Sequence, residues 1–420
     1  MRRWAWCLAV GVAGLLCVSG AAAAQSEVDI LLDTLVDKGI LTHVEAGLIR
    51  REISETSSAR NAQVAKDVVP AWSRNWKWKG DIRLRNEYRD RSASTNVNRQ
   101  RVRFRVGFDA KVADTLKATG QIATGSTSDP VSTNDSFDDS FNKKPFNLDL
   151  AYLTYTPEIM GIDETKMTGG IMPNPHVTHS PLVWDGDLNF DGVAAKITKE
   201  FGDSAVFAMA QLSSLDTDIH ESSQMWSMQV GASGKLLAGS DEDILDHLKL
   251  EGAVSWINYG DVRAGGGENG AIGAAGGLKG NLLASVHDWN LINPTGAIST
   301  KVNGIPVKLY ADWVHNTAST EYDNGYLFGA KVGKAKKPWD LKEGWEAGYF
   351  FERIDPNATF GAFTDSDFGG GGTNHKGHVY YVTLATLKNS TLTLKYLDTQ
   401  QVTGSKSHFD TLQADWVTKF

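Results

Sequence analysis

The segment HFDTLQADWVTKF, residues 408–420, decides the fold, because apolar and polar residues alternate along it. On an extended strand, the apolar residues share one side: Leu412, Ala414, Trp416 and Phe420. The polar residues share the other side: Gln413, Asp415 and Lys419. A final strand with an oily outer face and a wet inner face is typical of a closed barrel in a bilayer. The segment therefore predicts an all-β fold, a transmembrane antiparallel β-barrel.

The amino-terminal segment has the features of an export signal. Arg2 and Arg3 precede an apolar run from Trp4 to Val18, and Ala22-Ala23-Ala24 offers a small-residue cleavage site. We expect residues 1–24 to be a cleaved signal peptide, and the apolar run is too short for a spanning helix. The chain's 2 cysteines both lie in this segment, so we expect a mature chain without thiol chemistry.

The charge balance argues against a nucleic-acid partner. Removing Arg2 and Arg3 from 42 basic residues leaves 40 against 50 acidic residues, a mature balance of −10. After the signal, no stretch of 18 residues lacks charged or polar groups. Strands rather than helices must therefore cross the membrane.

Residues 25–60 have a different pattern from the rest of the chain. Ser26 with Asp29 and Thr42 with Glu45 form capping boxes before apolar residues at helical spacing. We expect a helical hairpin or coiled-coil stub, followed by a polar linker over residues 61–75. The stub is either a periplasmic plug, trimer zipper or cell-wall contact, or a spacer that docks weakly against the barrel.

Residues 76–420 contain about 16 alternating segments of the length that a tilted strand needs. We place them at 76–88, 99–112, 115–124, 145–156, 165–172, 190–201, 204–212, 224–237, 247–259, 279–292, 305–316, 324–335, 343–354, 376–387, 390–402 and 408–420. Long connections alternate with tight turns, as in outer-membrane barrels. Pro294 is assigned to a loop, and no proline is expected to interrupt a ladder of strand hydrogen bonds.

This pattern resembles the Gram-negative outer-membrane porins, and among them the putative-porin family with a short helical segment before the barrel. The resemblance rests on Arg2-Arg3 with Ala22-x-Ala24, the hairpin from Leu31 to Ile53, the opening WKWKGDIR of residues 76–83 and the end from Trp416 to Phe420. It implies a bacterial outer-membrane location and passive diffusion of small hydrophilic solutes, often through a homotrimer. It also implies contact with outer-membrane lipids and lipopolysaccharide. The barrel-assembly machinery would read the final strand through Leu412, Ala414, Trp416 and Phe420.

The first two strands carry a set of basic residues on one face of each strand: Lys77, Lys79, Arg83 and Arg85, then Arg99, Arg101, Arg103 and Arg105. A charge on the lipid side costs roughly 2–4 kcal/mol near the midplane, so these side chains are expected to face the lumen. They predict a positive wall, with Asp81 and Glu87 on the same face. Such a wall biases a pore toward anions, or it is merely solvated by pore water and paired with loop acids.

The connection after the fifth segment, residues 173–189, holds the position at which porins fold a loop into the lumen. Asp185 and Asp187 in this loop are candidate constriction acids, which would oppose the arginines across the bore. An ordinary extracellular excursion of this loop is the alternative.

Other motifs carry weaker signals. His176-x-x-His179 and His375-x-x-His378 lack a third ligand and are interpreted as loop histidines. Asp135, Asp138 and Asp139 could hold Ca²⁺ or bridge lipopolysaccharide, but a solvated loop is favoured, so we predict no metal and no cofactor. Gly265–Gly267 and Gly369–Gly372 are interpreted as mobile outer loops.

Three further functional or structural classes stay open from the sequence. An enzymatic barrel needs a Ser/His/acid group at the rim, and no spacing singles one out, so we predict that the chain is not an enzyme. An adhesin or structural barrel would bind a surface partner through its loops. A soluble β-sandwich also alternates.

Overall fold

The computed structural model describes residues 27–52, 75–92, 95–138, 141–217, 222–236, 247–260, 279–282 and 289–420. Two units are distinguished, residues 1–74 and 75–420, and each is described by itself. The predicted signal peptide and most of the predicted linker lie outside the described residues.

Residues 27–52, the described part of the amino-terminal unit, form two helices. The first, α1, spans Glu27–Asp37, and the second, α2, begins at residue 43 and is described as far as residue 52. The capping box predicted at Thr42 is present, since Glu45 Oε2 accepts the Thr42 backbone N–H at 2.8 Å and Thr42 Oγ1 accepts the Glu45 backbone N–H at 3.2 Å. Arg50 pairs with Asp33 and joins the two helices. None of the helices in the described ranges is long and apolar enough to cross a membrane.

The second unit is a closed barrel in which each long strand pairs antiparallel with its neighbours in chain order. The described residues form sixteen long strands: β1 Trp76–Arg91, β2 Val97–Ala113, β3 Leu116–Thr124, β4 Phe146–Tyr155, β5 Glu164–Pro173, β6 Asn189–Phe201, β7 Ser204–Thr217, β8 Ser222–Lys235, β9 Lys249–Gly260, β10 Trp289–Val302, β11 Ile305–Asn316, β12 Asn324–Gly333, β13 Trp345–Ile354, β14 His375–Leu387, β15 Ser390–Gln401 and β16 His408–Lys419. The two-residue bridge Asp135–Ser136 pairs with β2 at Arg101 and Val102. Strand β1 pairs with both β2 and β16, which closes the cylinder and leaves no edge to lipid.

Tight turns and long connections lie at opposite ends of the barrel. Two-residue turns join β2 to β3, β6 to β7, β10 to β11 and β14 to β15. Asn303 and Gly304 form one of them with φ of 52° and 78°, the left-handed geometry of a two-residue hairpin. The predicted alternation of turn and loop is therefore present, although the 334–344 connection on the short side is longer than expected.

Buried polar residues and exposed apolar residues alternate along the strands, as the sequence predicted. On β1, Asp81, Arg85 and Glu87 are buried, whereas Ile82 and Leu84 are exposed over 40% and 45% of their surface. In an isolated chain the lipid-facing side of a barrel is the exposed side, so an apolar belt faces outward. The polar side chains between these residues face the bore.

The tenth strand corrects the sequence assignment of 279–292, since β10 runs from Trp289 to Val302. Residues 279–282 instead lie against the long connection after β13, where Lys279 O accepts the Thr373 N–H. Pro294 lies inside β10, so the expectation that no proline interrupts a ladder is wrong. The pairing of β10 with β11 skips from Ile292 to Thr295.

An asparagine compensates for this break in the ladder. Asn293 Nδ2 donates to Trp313 O at 2.7 Å, so a backbone carbonyl beside the proline keeps a donor, and it also donates to the Asp312 side chain at Oδ1 at 2.5 Å. The strand therefore tolerates a proline in mid-sheet because a neighbouring side chain takes over its donor role.

Two connections fold into the barrel and bury an apolar cluster there. Residues 174–188, after β5, contribute Leu182, Val183 and Trp184, and residues 355–374, after β13, contribute Phe360 and Phe368. Together with inward residues of the wall they fill part of the bore. The loops are tied to each other, since the Asp185 backbone N–H donates to Phe363 O at 2.8 Å.

Candidate pore constriction

The predicted basic residues of β1 and β2 share the inner face of the barrel and stand in register. Arg83 is the pairing partner of Arg103, and Arg85 is the pairing partner of Arg101. Like charges directly opposite each other on neighbouring strands repel. The ladder is stable because carboxylates lie between its members, so the wall is mixed in charge rather than purely positive.

The lower part of the ladder is held by two carboxylates. Asp81 accepts from Arg103 Nε at 2.9 Å and from Arg105 Nε at 2.7 Å. Asp187, from the 174–188 loop, lies 3.5 Å from Arg103, 3.6 Å from Arg105 and 4.0 Å from Arg83. Asp187 therefore touches the arginines directly and does not oppose them across an open bore.

The charge on Asp187 is set by these contacts. Burial opposes ionisation, but the positive charges of Arg103, Arg83 and Arg105 outweigh it and hold the pKa of Asp187 below its usual range. The 174–188 loop thus brings a fixed negative charge onto the ladder.

Arg85 binds two carboxylates, and we call Arg85 with Asp415 and Asp367 the Arg85 node. Its Nε and Nη2 donate to Asp415 at 2.7 and 2.8 Å, and its Nη1 donates to Asp367 at 2.9 Å. Asp367 belongs to the 355–374 connection, and Lys395 Nζ on β15 lies 3.5 Å from it. Arg85 therefore joins β1, β16 and an inserted loop through charge-assisted hydrogen bonds.

In the upper part of the ladder, Arg99 is ion-paired, whereas Arg101 makes no ion pair within the described ranges. Glu87 is fully buried and accepts from Arg99 Nε at 2.6 Å, with Arg89 Nε at 2.7 Å. Arg101 instead donates to Ser132 Oγ at 3.3 Å and to Asn134 O at 3.1 Å. Arg83 donates twice to Asn134 Oδ1, at 3.0 and 2.6 Å.

The two predicted lysines lie at the turn-side end of the ladder. Lys79 Nζ contacts Asp109 at 3.1 Å, and Lys77 is exposed one pair of residues nearer the strand end. They extend the inner basic face toward the tight turn after β2.

Asp185 lies at a different place from Asp187. Its Oδ2 accepts the Ser366 N–H at 2.8 Å and its Oδ1 accepts the Asp187 N–H at 2.8 Å, so it connects the two inserted loops. Burial and the nearby charge of Asp365 raise the pKa of Asp185 to about 7. We call this carboxyl group and its two hydrogen bonds the loop clasp. Among the contacts described, Asp185 makes none with the arginine ladder.

Sequence reasoning missed the second inserted loop, and with it Asp367. The expectation that Gly369–Gly372 forms a mobile outer loop is wrong: a Cβ on Gly369 would lie 2.3 Å from the His375 ring, and one on Gly370 would lie 2.9 Å from the Phe409 ring. All four glycines have φ between 60° and 95°; Gly369 and Gly370 lie against wall residues, whereas Gly372 lies against Lys279. The sequence did carry a signal for this insertion, the apolar content of residues 355–374. Phe360, Phe363 and Phe368 are too many aromatics for a solvated loop. Gly265–Gly267 lies outside the described residues.

Comparison with known proteins decides the family. The sequence matches the model of a family described as "Putative porin" over residues 90–276 and 288–420. The chain belongs to this porin family. No curated protein matches the sequence. Among solved structures, the porin resembles OprB of Pseudomonas putida with a TM-score of 0.54 and 12% identity, over 83% of this chain and 95% of that one.

A second likeness is to OmpF of Salmonella typhi, with a TM-score of 0.48 and 9% identity over 82% of this chain and 97% of that one. At such identities the structures show the fold alone. The family and the fold together place the porin in the bacterial outer membrane as a channel.

The predicted assembly residues of the porin lie on its outer face. Leu412 is 46% exposed and Trp416 is 44% exposed, and Ala414 lies between them on the same face of β16. The Phe420 N–H donates to Gly80 O at 3.0 Å, so the last residue takes part in closing the barrel.

The histidine motifs of the porin do not bring their members together as ligands. His176 is buried next to Asn174 and Trp184, and burial lowers its pKa to about 3, so it is a neutral packing residue. The interpretation of His375 and His378 as loop histidines is wrong, because both lie on β14. His375 faces inward, whereas His378 faces outward and contacts Tyr349 Oη at 2.9 Å. Asp135 and Asp138 pair with Lys144, and Asp139 lies outside the described residues.

Proposed function

We propose that this porin lets small hydrophilic solutes diffuse passively across the outer membrane, with a bore that favours anions. The observation that carries the anion preference is the charge of the constriction. Seven arginines line it (Arg83, Arg85, Arg89, Arg99, Arg101, Arg103 and Arg105), and five carboxylates contact them (Asp81, Glu87, Asp187, Asp367 and Asp415). Seven arginines against five carboxylates leave an excess of +2, and Lys395, which lies 3.5 Å from Asp367, raises it to +3.

An excess of this size supports selectivity because the wall is a low-dielectric surface around a narrow aqueous path. Fixed charges there raise the local concentration of counter-ions and act more strongly than in bulk water. Arg101 and Arg83 contribute most of the excess. Arg101 contacts only neutral groups at the distances given above, and the nearest carboxylate oxygen to Arg83 is 4.0 Å away.

We also propose how the channel is exported, assembled and arranged in the membrane. The chain is exported through a cleaved signal peptide, and the barrel-assembly machinery recognises Leu412, Ala414, Trp416 and Phe420 on β16. The barrel then forms a homotrimer among outer-membrane lipids and lipopolysaccharide and performs no enzymatic reaction. The exposed apolar side of β16 supports the assembly step, since an outward apolar row is available to a partner before closure.

Ion selectivity in planar bilayers tests the proposal. With a KCl gradient, we expect the wild-type reversal potential to have the sign of chloride preference and Arg101→Glu to move it toward cations. Arg353→Glu is a matched control with the same change of charge, because this arginine lies on the outer face and pairs with Asp355 at 2.8 Å. A wild-type reversal potential without chloride preference contradicts the anion preference, and a potential that is the same in Arg101→Glu contradicts the role of Arg101. Liposome swelling with sugars of graded size tests passive diffusion separately.

A further inference from the structure

A partly enclosed cavity of about 220 Å³ lies on the inner wall from β4 to β7, where the loop after β5 begins. Its lining comes from two directions. Met172 and Met209 belong to the wall, whereas Asn174 and Pro175 belong to the inserted loop. The loop therefore covers one side of the cavity, at a place separate from the arginine ladder of β1 and β2.

Two lysines line the cavity and stand opposite each other on β5 and β6. Lys166 is the pairing partner of Lys196, and Cβ atoms in such pairs lie roughly 4.5–5.5 Å apart. Within the described ranges neither lysine forms an ion pair, and Lys196 Nζ lies 4.2 Å from the centre of the Phe207 ring. Like charges directly opposite each other destabilise a sheet. Carboxylates lie between such pairs in the arginine ladder, whereas the lysine pair borders a cavity.

The charged groups that line the cavity, among the described residues, are these two lysines and Glu164. Glu164 and Lys166 are also the charged groups that act on Lys196. Two lysines against one glutamate leave a net charge of +1. Lys166 and Glu164 are exposed and Lys196 is half-buried, so this end of the cavity opens to the bore. A positive site of this size suits a solute with one negative group.

The remaining lining residues supply polar groups and an apolar surface. Thr168 contributes a hydroxyl group, and Asn174 is held in place by its Oδ1, which accepts the His176 N–H at 3.0 Å. Met172 and Met209 are buried in the wall, and a polarizable thioether makes favourable contacts with aromatic rings. Since a cavity of about 150 Å³ is enough for a benzene molecule, this cavity has room for an aromatic ring and one carboxylate.

We propose that this cavity is a binding subsite for a small aromatic monocarboxylate in transit through the bore. The carboxylate lies between Lys166 and Lys196, where charge-assisted hydrogen bonds from both ammonium groups offset the repulsion between them. The aromatic ring lies toward Met172 and Met209, beside the start of the inserted loop. This inference rests on the proposed function, since it names one class of anion that the channel passes.

Binding of benzoate to the folded barrel in a neutral detergent tests the subsite, and a ligand-observed NMR titration measures it. We expect saturable binding by wild type and roughly tenfold weaker binding by Lys166→Gln/Lys196→Gln. Lys308→Gln/Lys331→Gln is the matched control and should bind as wild type, because these lysines also pair directly on the inner face and the variant loses the same two charges elsewhere. Glu164→Gln is expected to bind benzoate roughly threefold more tightly, since it removes a negative charge beside the carboxylate.

The outcomes separate the subsite from the channel. Equal benzoate binding in wild type and Lys166→Gln/Lys196→Gln overturns the subsite, and so does an equal loss in the control variant. Acetate that binds as tightly as benzoate also overturns it, because the apolar part of the cavity then contributes nothing. Conductance is recorded separately in planar bilayers. A conducting channel that binds no benzoate overturns only the subsite, whereas a folded barrel that binds benzoate without conducting overturns only the proposed function. Circular dichroism of every variant confirms that the barrel is assembled.

Discussion

Gly80 and Phe420 close the barrel through a reciprocal pair of backbone hydrogen bonds, Gly80 N to Phe420 O at 2.9 Å and Phe420 N to Gly80 O at 3.0 Å. The Phe420 ring lies over Gly80, where a Cβ would be 2.6 Å from two ring carbons and from Arg105 O. The last residue of the chain thus fits onto the first strand at a position that accepts no side chain.

Gly80→Ala tests this fit. Because the added methyl group meets the ring and a backbone oxygen, we expect overpacking to lower the free energy of unfolding by about 1–3 kcal/mol. Denaturant titration in detergent measures it. Gly252→Ala is the control, since the nearest atom to its Cβ is Thr295 O at 3.8 Å. Equal stability of both variants would show that the seam adapts to a side chain.

Asp367→Asn is expected to loosen the 355–374 connection inside the barrel. The positive charges of Arg85 and Lys395 outweigh burial and hold the pKa of Asp367 below its usual range, so the substitution removes a charged partner from both. Losing a charge-assisted hydrogen bond destabilises the loop by about 2 kcal/mol, which corresponds to a roughly 30-fold faster amide exchange.

Hydrogen exchange with mass spectrometry, read over residues 355–374, measures this change in the Asp367→Asn variant. Asp355→Asn is the control, because Asp355 pairs with Arg353 at the outer face. If exchange in the loop is equally slow in the variant and wild type, the Arg85 node does not hold the loop.

The loop clasp should weaken as pH rises. Since the pKa of Asp185 is raised to about 7 from an ordinary 3.8, the folded state holds a proton that the unfolded state has already lost between these values. Its contribution to stability is therefore fully present below about pH 4 and falls as pH approaches 7. We expect current fluctuations of single channels to increase between pH 5 and 7.5, with a smaller dependence in Asp185→Asn. An unchanged pH dependence in that variant would assign the effect to another group.

Gly348→Ala should narrow the channel. The new Cβ would lie within 2.5 Å of three atoms of Tyr381, so the ring must leave the wall and enter the bore. We expect a lower single-channel conductance than wild type, and we expect Gly348→Ala/Tyr381→Ala to restore it. Failure of the second change to restore conductance would show that the methyl group distorts the strand itself.

The sequence was sufficient for the barrel and most of its strands. Alternation in segments such as 390–402 and 408–420 has one physical origin, lipid on one side and water on the other, so the pattern alone reports both the strand and its orientation. The inward basic ladder followed from the same rule, because Arg83 and Arg103 could not face lipid. Their pairing across β1 and β2 follows from the register that the seam and turns set.

The rest depended on contacts between distant parts of the chain. The alternation of residues 279–292 is compatible with a strand, but Asn281 is taken by Pro356 O and Thr359 O, which lie 75 and 78 residues away. Pro294 is tolerated in a strand because the Asn293 side chain compensates for it. The alternation of apolar and polar residues does not reveal such a side-chain hydrogen bond. Asp367 becomes a constriction residue only because three phenylalanines draw its loop into the bore.

Single-channel recording of the refolded protein in planar bilayers tests the central claim most directly. We expect discrete conductance steps with a reversal potential that favours chloride, and steps in groups of three if the barrel is a homotrimer. A correctly folded barrel that gives no steps would show that the protein is not a channel.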